Sequence, residues 1–267
     1  MTHSLIDIGV NLSNNRFKSD LEQVIDRASQ ANIEHLILTG TSLSESEQVI
    51  QLCDQFDRDF PNMMYATVGI HPHHADELNH RALQSLEILA DHKKVVAIGE
   101  TGLDFNRNFS SKSEQISAFE SQLELAIKKQ LPLFIHERDA APCQLEILRA
   151  YRDHFTKAVI HCFTGDRNTL FSYLDLDLHI GITGWICDEK RGDELRQLAA
   201  NIPLNRLMIE TDAPYLLPKN MPQLPKNRRN EPAFLPWVVK AIAAVREESI
   251  DSIARETNAT AKQFFGI

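Results

Sequence analysis

Eight short apolar runs alternate with helical stretches along this chain of 267 residues, and this alternation constrains the fold more than any other feature. The runs are rich in β-branched residues and are typical of buried strands. They cover residues 5–10, 35–40, 64–70, 95–100, 131–136, 158–163, 178–183 and 206–211. The helical stretches lie near 17–31, 43–58, 78–91, 113–129, 142–154, 167–174, 192–200, 233–246 and 249–264.

Strands that alternate with helices predict a parallel sheet. Eight such units in 267 residues match a TIM-type (β/α)8 barrel of the α/β class, whose typical length is about 250 residues. The alternative is an open doubly wound sheet, but no GxGxxG loop follows the first strand. No repeat or linker divides the chain, so we expect one domain over residues 1–267. The proline-containing segment 218–232 is interpreted as a long loop.

The composition is ordinary for a globular protein, with 43% hydrophobic and 24% charged residues. No apolar run reaches about 18 residues and no signal-peptide pattern opens the chain, so we expect no membrane span. The four cysteines form no CxxC pair, which favours a reduced, cytoplasmic protein. Acidic residues outnumber basic ones by 37 to 28, which argues against a general electrostatic grip on nucleic acid but permits a local one.

Acidic residues and histidines cluster where the predicted strands end. Segment 95–109 is the clearest case, because its apolar run ends at Gly99 and Glu100 follows at once. A buried carboxylate is costly unless it is paired or bound to a metal. In a barrel, the carboxyl ends of all strands converge on one mouth. The other residues at predicted strand ends are Asp7, Asn11, His71, His73, His74, Asp104, His136, Arg138, Asp139, His161, Cys162, Glu210 and Asp212.

Each of these residues also has an ordinary structural interpretation. A lone His136 or His161 is commonly a buried imidazole bonded to a backbone carbonyl, and Asp212 could cap a turn before Pro214. Their joint placement at strand ends favours a metal site instead. Imidazole nitrogens with carboxylate oxygens form a mixed set that suits Zn²⁺, Mn²⁺ or similar ions.

Several motifs resemble those of one known family. The segments VGIHPH, AIGETGLDF, PLFIHERDA, VIHCFTG, GITGW, IETDAPYL and RRNEP are similar to signatures of the TatD family of metal-dependent deoxyribonucleases, over essentially the whole chain. That family has amidohydrolase-like TIM barrels. The resemblance implies a metal held by Glu100, His136 and His161, with Asp212 as a further ligand or general base.

The first strand departs from the family pattern. Many members carry D-x-H-x-H there, whereas this chain has Gly9 and Asn11 at the two histidine positions. One of two metal positions is therefore expected to be impaired or built from oxygen ligands, which favours Mg²⁺ over Mn²⁺ or Zn²⁺. The DIGVNL variant resembles the subgroup associated with 3′-5′ exonuclease action on single-stranded DNA and RNA, and the resemblance suggests a role in DNA repair.

The site chemistry suggests a mechanism. Glu100 and its partner ligands hold the ion, and Asp212 takes a proton from water as general base. His71, with His73, is expected to contact the phosphate or protonate the leaving oxygen. The residues predicted to orient imidazoles are Asp7 and Asp104.

Local basic and aromatic groups are expected to hold the strand. The residues predicted to bind substrate are His73, Arg107, Arg138, Trp185, Arg228 and Arg229, with further basic groups at Lys190, Arg191, Lys219 and Lys226. Trp185 and Phe105 are candidates for stacking on unpaired bases. A deep barrel-mouth site suits a strand end, so we expect a monomeric exonuclease acting on single-stranded DNA or RNA ends.

Two other functions remain open at this point. One is a metal-dependent amidohydrolase or lactonase acting on a small molecule, although such barrels often carry a carboxylated lysine where this chain has Glu100. The other is a non-catalytic binding protein on a decayed barrel, which Gly9 and Asn11 would permit.

Overall fold

Eight parallel strands form a nearly closed barrel in the computed structural model, which describes residues 2–267. Each strand pairs with the next one along the chain. The strands are β1 (Leu5–Val10), β2 (Ile33–Leu38), β3 (Met64–Val68), β4 (Val95–Asp104), β5 (Leu133–Arg138), β6 (Ala158–Ile160), β7 (His179–Ile182) and β8 (Leu207–Ile209).

The first and last strands meet at their carboxyl ends. The Asn11 backbone N–H donates to the Ala213 carbonyl at 2.8 Å, and the Asp212 N–H donates to the Gly9 carbonyl at 2.9 Å. A parallel bridge between Val10 and Ala213 accompanies these bonds. The sequential strand order and this closure confirm the predicted barrel and exclude the doubly wound alternative.

Nine α-helices occur within residues 2–267 and cover the barrel. They are α1 (Leu21–Gln30), α2 (Leu43–Phe56), α3 (His80–Leu89), α4 (Lys112–Lys129), α5 (Ala141–Tyr151), α6 (Arg167–Asp175), α7 (Asp193–Ala199), α8 (Leu235–Ala243) and α9 (Ile250–Phe265). Every predicted helix is present, with ends that differ by a few residues. Segment 11–20, partly predicted as helix, forms turns that bury Phe17.

The largest difference from the predicted strands concerns β4. This strand does not end at Glu100 but continues to Asp104, because Thr101 to Asp104 pair with Ile135 to Arg138 of β5. A register shift between Ile98 and Thr101 separates the two halves of the strand. Glu100 therefore lies within a buried strand rather than in the loop beyond it.

Two apolar layers position the mouth of the barrel. Ile6, Ile8, Phe134 and other side chains from six strands meet in a smaller cluster, which therefore fills the barrel interior. Phe264 and Phe265 of α9 pack against this cluster. The larger cluster joins strands and surrounding helices. A filled interior leaves the carboxyl-end mouth as the place where polar side chains can gather.

Helix α9 is tied to the strands through Glu34 of β2. The Glu34 carboxylate accepts hydrogen bonds from Ser4 Oγ at 2.6 Å, Lys262 Nζ at 2.7 Å and Asn258 Nδ2 at 3.1 Å. Burial disfavours ionisation of this carboxyl, but the bonds from Lys262, Ser4 and Asn258 outweigh it and lower its pKa to about 2. The ionised form of Glu34 therefore stabilises the fold.

Replacing this carboxylate gives a stability prediction with a defined pH dependence. Glu34→Gln is expected to lower the free energy of unfolding by about 1 kcal/mol at pH 7, after allowance for solvent screening at a partly exposed site. A carboxyl whose pKa is lower in the folded protein than in the unfolded chain stabilises the fold at pH values above its unfolded pKa. It adds no stability at pH values below its folded pKa. The difference should thus be complete above pH 4.5 and shrink as the pH falls toward 2.

Urea unfolding of both proteins between pH 7 and pH 3 measures this difference. Glu247→Gln is the matched control, since Glu247 is exposed and has no ion-pair partner among residues 2–267. A stability difference for Glu34→Gln that does not change with pH would contradict the assignment.

Candidate metal centre

One carboxylate oxygen lies at the centre of the barrel mouth. Glu100 Oε1 is 2.8 Å from His161 Nε2, 3.0 Å from His136 Nδ1 and 3.3 Å from His71 Nε2. Burial disfavours the charged carboxylate, but the surrounding imidazoles hold the pKa of Glu100 well below its ordinary value. The site therefore combines a buried anion with three nitrogen-bearing rings.

Five strands deliver these groups to one place. Glu100 lies in β4 and His136 in β5, while His161 directly follows β6. His71 follows β3 and Asp212 follows β8. All five line one cavity of about 580 Å³, so residues far apart in sequence converge as a barrel requires.

The donor set fits a divalent metal ion. Donor atoms of Glu100 and His136 lie within 4.8 Å of each other and of a ring nitrogen of His71. His136 Nε2 is buried and has no hydrogen-bond partner among residues 2–267, and Asp104 Oδ2 lies 3.5 Å away from it. An unpartnered imidazole nitrogen beside carboxylates is costly unless a cation or water completes its bonding. The arrangement thus supports a bound divalent ion.

Asp212 completes the cavity as a carboxyl with an unusual proton affinity. Burial raises its pKa to about 7, and repulsion from Glu100 and Glu210 adds to this effect although His161 opposes it. Asn11 Nδ2 donates a hydrogen bond to Asp212 Oδ1 at 3.0 Å. The sequence marked Asn11 only as a departure from the family pattern, whereas the structure shows it holding Asp212.

The two carboxylates predicted to orient imidazoles lie in different settings. Asp104 Oδ2 is 2.7 Å from His73 Nε2, and the backbone N–H of Arg107 donates to Asp104 Oδ1 at 2.8 Å. Burial disfavours ionisation of Asp104, but the nearby His136 imidazole and the hydrogen bonds from the Arg107 N–H and His73 lower its pKa. Asp104 therefore stands beside two imidazoles in its charged form.

The prediction for Asp7 was wrong. Its carboxylate accepts from the Thr211 N–H at 2.8 Å and from Thr211 Oγ1 at 2.5 Å, and it contacts no imidazole. Burial raises the pKa of Asp7 to about 8. Asp7 joins β1 to the segment after β8, so its function is to close the barrel beside Asp212.

Arg229 was also placed wrongly among the substrate-binding residues. Its guanidinium is buried and donates to Asp20 at 2.6 and 2.7 Å and to Glu231 at 2.7 Å. It also lies over the ring of Phe17, 4.8 Å from the centroid. These contacts fix the loop before α8. The carboxylates of Asp20 and Glu231 occupy the positions that a phosphate would need, so Arg229 is not free to bind substrate.

The other predicted substrate residues lie at the mouth. His73, Arg107, Arg138 and Trp185 line the cavity. The Arg138 and Arg191 guanidiniums lie 5.9 and 5.1 Å from the Trp185 ring. Arg228 lines a neighbouring cavity of about 400 Å³ that shares Trp185 and Leu216 with the first.

Two aromatic residues at the mouth were not predicted from the sequence. Phe109 is 67% exposed and Tyr215 is 50% exposed, and both line the cavity that holds Glu100. Phe105, one of the two predicted stacking residues, packs instead against the core with Lys112 over its ring. A large aromatic directly beyond a strand-end motif, as in FNRNF and DAPYL, was the signal available in the sequence.

The fold and this site define the protein as a TIM-type (β/α)8 barrel with a candidate metal centre at its mouth. A family model described as TatD related DNase matches residues 6–266, and the chain belongs to that family. No helix among residues 2–267 has the length and apolar character needed to cross a membrane.

Individual relatives agree with this membership. The chain is 46% identical over 263 residues to the 3′-5′ ssDNA/RNA exonuclease TatD of Erwinia amylovora, which covers 98% of this chain and 100% of that protein. It is similar to the crystal structure of a TatD family hydrolase from Entamoeba histolytica, with a TM-score of 0.90, 26% identity and 99% of both chains covered. The TatD homologue YJJV from Escherichia coli K12 gives a TM-score of 0.89 at 26% identity, with both chains fully covered.

Proposed function

We propose that this protein is a metal-dependent 3′-5′ exonuclease that hydrolyses phosphodiester bonds of single-stranded DNA and RNA. The observation that carries the proposal is Glu100, whose Oε1 lies within 3.3 Å of nitrogens of three imidazoles in a cavity shared with Asp212. Relatives at 44–46% identity over nearly the full chain are 3′-5′ ssDNA/RNA exonucleases, which supports single-stranded nucleic acid as the proposed substrate.

Glu100, His136 and His161 are the residues proposed to hold the ion, with Asp212 facing it. Mg²⁺ is the proposed ion, and Mn²⁺ or Zn²⁺ are alternatives that imidazole donors also suit. A bound divalent ion supplies Lewis-acid polarisation of a phosphate oxygen and lowers the pKa of a bound water.

His71 is better suited to donate a hydrogen bond than to bind metal or supply a proton. Its Nδ1 accepts from the His73 backbone N–H at 3.0 Å, so the ring proton is on Nε2, which faces Glu100. Burial lowers the pKa of His71 to about 4, so the ring is neutral near pH 7. We therefore assign His71 to a contact with a phosphate oxygen or with Glu100.

Asp212 and His73 are the proposed proton-transfer groups. A carboxyl with a pKa of about 7 is matched to general-base catalysis near neutral pH. His73 is hydrogen-bonded to Asp104 at 2.7 Å and lines the cavity, and an imidazole backed by a carboxylate can pass a proton to a leaving oxygen.

The nucleic acid is proposed to enter across the aromatic and basic rim. Arg107 and Arg138 face the catalytic cavity, while Arg228 faces the neighbouring one and has no carboxylate partner among residues 2–267. Trp185 lies between the two cavities and offers a stacking surface for unpaired bases. A site at the base of such a rim admits a strand end more readily than an intact duplex.

Removal of one rim cation gives a prediction for substrate binding. Arg107→Ala is expected to lower kcat/KM for single-stranded oligonucleotides about 10-fold and to reduce the salt slope by about one, because one phosphate contact is lost. Steady-state kinetics between 50 and 200 mM salt, about the range in which phosphate contacts are screened, measure both effects.

Arg58→Ala is the matched control for that experiment. Arg58 is exposed and follows α2, at the opposite end of the barrel from the mouth. Equal salt slopes for Arg107→Ala and the unmodified protein would remove Arg107 from the binding surface.

One time course tests the proposed activity. Oligonucleotides labelled at either end, single- or double-stranded, are incubated with Mg²⁺, with EDTA, and with EDTA followed by excess Mg²⁺. We expect stepwise release of mononucleotides from the 3′ end of single strands, lost with EDTA and restored by Mg²⁺. Lactone hydrolysis without nucleotide release would instead support the small-molecule alternative, and no turnover of either substrate would support a binding protein.

We propose that residues 1–267 act as one barrel domain, as a monomer, in the cytoplasm. Trimming of damaged DNA ends is the proposed cellular role.

A further inference from the structure

Glu210 lies in a socket that two glycines create. It follows β8 directly, and its carboxylate is fully buried between the neighbouring strands β7 and β1. A Cβ at Gly181 would lie 2.6 Å from Glu210 Oε1, and a Cβ at Gly9 would lie 2.4 Å from Oε2. Both distances are too short for a real Cβ. The lack of a side chain at Gly9 and Gly181 therefore leaves room for the Glu210 carboxylate.

Both carboxylate oxygens face groups at the edge of the candidate metal centre. Oε1 accepts a hydrogen bond from the Cys162 backbone N–H, and Oε2 is 3.4 Å from His161 Nδ1. Phe134 stacks on the same imidazole at 4.6 Å between centroids, with 28° between the planes. The His161 ring is therefore held at one edge by Glu210 and over one face by Phe134.

The other edge of the His161 ring points into the site. Nε2 lies 2.8 Å from Glu100 Oε1, on the side where the ion is proposed to bind. A carboxylate at Nδ1 selects the tautomer that has its proton there and its lone pair on Nε2. This is the reverse of His71, whose Nδ1 accepts from a backbone N–H.

We propose that Glu210 is a positioning residue that fixes the tautomer and orientation of His161, so that Nε2 is presented to the metal. The inference rests on the proposed metal centre and names a residue outside its predicted ligand set. Glu210 acts through His161, because one of its oxygens accepts from the Cys162 N–H and the other faces His161 Nδ1.

Metal affinity and the state of the imidazole test the proposal without reference to nuclease activity. Glu210→Gln is expected to lower Mn²⁺ affinity about 10- to 100-fold in isothermal titration calorimetry. Losses of this size are typical when a carboxylate that hydrogen-bonds to a metal-binding histidine is removed. Gly181→Ala should give the same loss with Glu210 still present, because the added methyl displaces the carboxylate. Nitrogen-15 NMR of the Zn²⁺-loaded protein should show the His161 proton on Nδ1, and neither variant should retain that single tautomer.

Gly165→Ala is the control for a general glycine effect, since Gly165 lies after β6 and a Cβ there would not approach Glu210. It should bind Mn²⁺ as the unmodified protein does. Unchanged affinity and tautomer in Glu210→Gln, or in Gly181→Ala if Glu210→Gln fails to fold, would overturn the proposal. So would an equal loss in Gly165→Ala. If the affinity and tautomer results are as expected but the protein has no nuclease activity, the proposed function is wrong and the role of Glu210 stands.

Discussion

Glu100→Gln is expected to lower phosphodiester hydrolysis by about 10³-fold or more while the barrel remains folded. The change is nearly isosteric, but it removes the charge that one oxygen presents to His71, His136 and His161. A neutral amide is a poor metal ligand, and it removes the negative charge that the three imidazoles share. The metal centre and its electrostatic support are therefore lost together.

Release of mononucleotides from a 3′-labelled single strand, measured with saturating Mg²⁺, gives the size of this effect. Thermal unfolding in parallel separates loss of activity from loss of structure. Glu146→Gln on the exposed face of α5 is the control and should behave as the unmodified protein. Turnover retained in Glu100→Gln would exclude the carboxylate as the centre of the site.

Asp212→Asn is expected to reduce kcat about 10²- to 10⁴-fold, the range typical for a general base. The base acts in its deprotonated form, so the rate of the unmodified enzyme should rise with pH as Asp212 loses its proton. In the ion-free site that pKa is about 7, and a bound divalent cation beside it lowers the value. The acidic limb of the pH profile should thus fall at or below neutral pH and disappear in Asp212→Asn.

Asn11→Ala tests the same proton transfer with a smaller expected effect. The bond from Asn11 to Asp212 favours the ionised carboxylate, so its removal should move the acidic limb to higher pH and leave substantial turnover. A pH profile that is the same in all three proteins would show that another group takes the proton.

Much of this arrangement could be predicted from local sequence. The alternation of apolar runs with helical stretches predicts eight strands in order, and a barrel then requires Glu100, His136, His161 and Asp212 to converge. These inferences hold because strand order and the residue at a strand end are readable one segment at a time. Comparison with family motifs added the type of substrate, which neither periodicity nor spacing could supply.

The errors arise where a side chain depends on partners far away in the chain. Arg228 and Arg229 are adjacent, yet Arg229 is buried because Asp20, some 200 residues earlier, receives its guanidinium. Asp7 looked like a strand-end carboxylate, but Thr211 occupies both of its oxygens. Gly9 appeared only to lack a ligand, whereas the structure shows that Glu210 fills the space beside it.

Anomalous X-ray diffraction from crystals equilibrated with Mn²⁺ tests the central claim most directly. We predict a peak bonded to Glu100, His136 and His161 at about 2.0–2.3 Å from their donor atoms. The same protein should degrade single-stranded DNA when loaded with Mn²⁺. Mn²⁺-loaded protein that degrades DNA but shows no peak at these three residues would contradict the account.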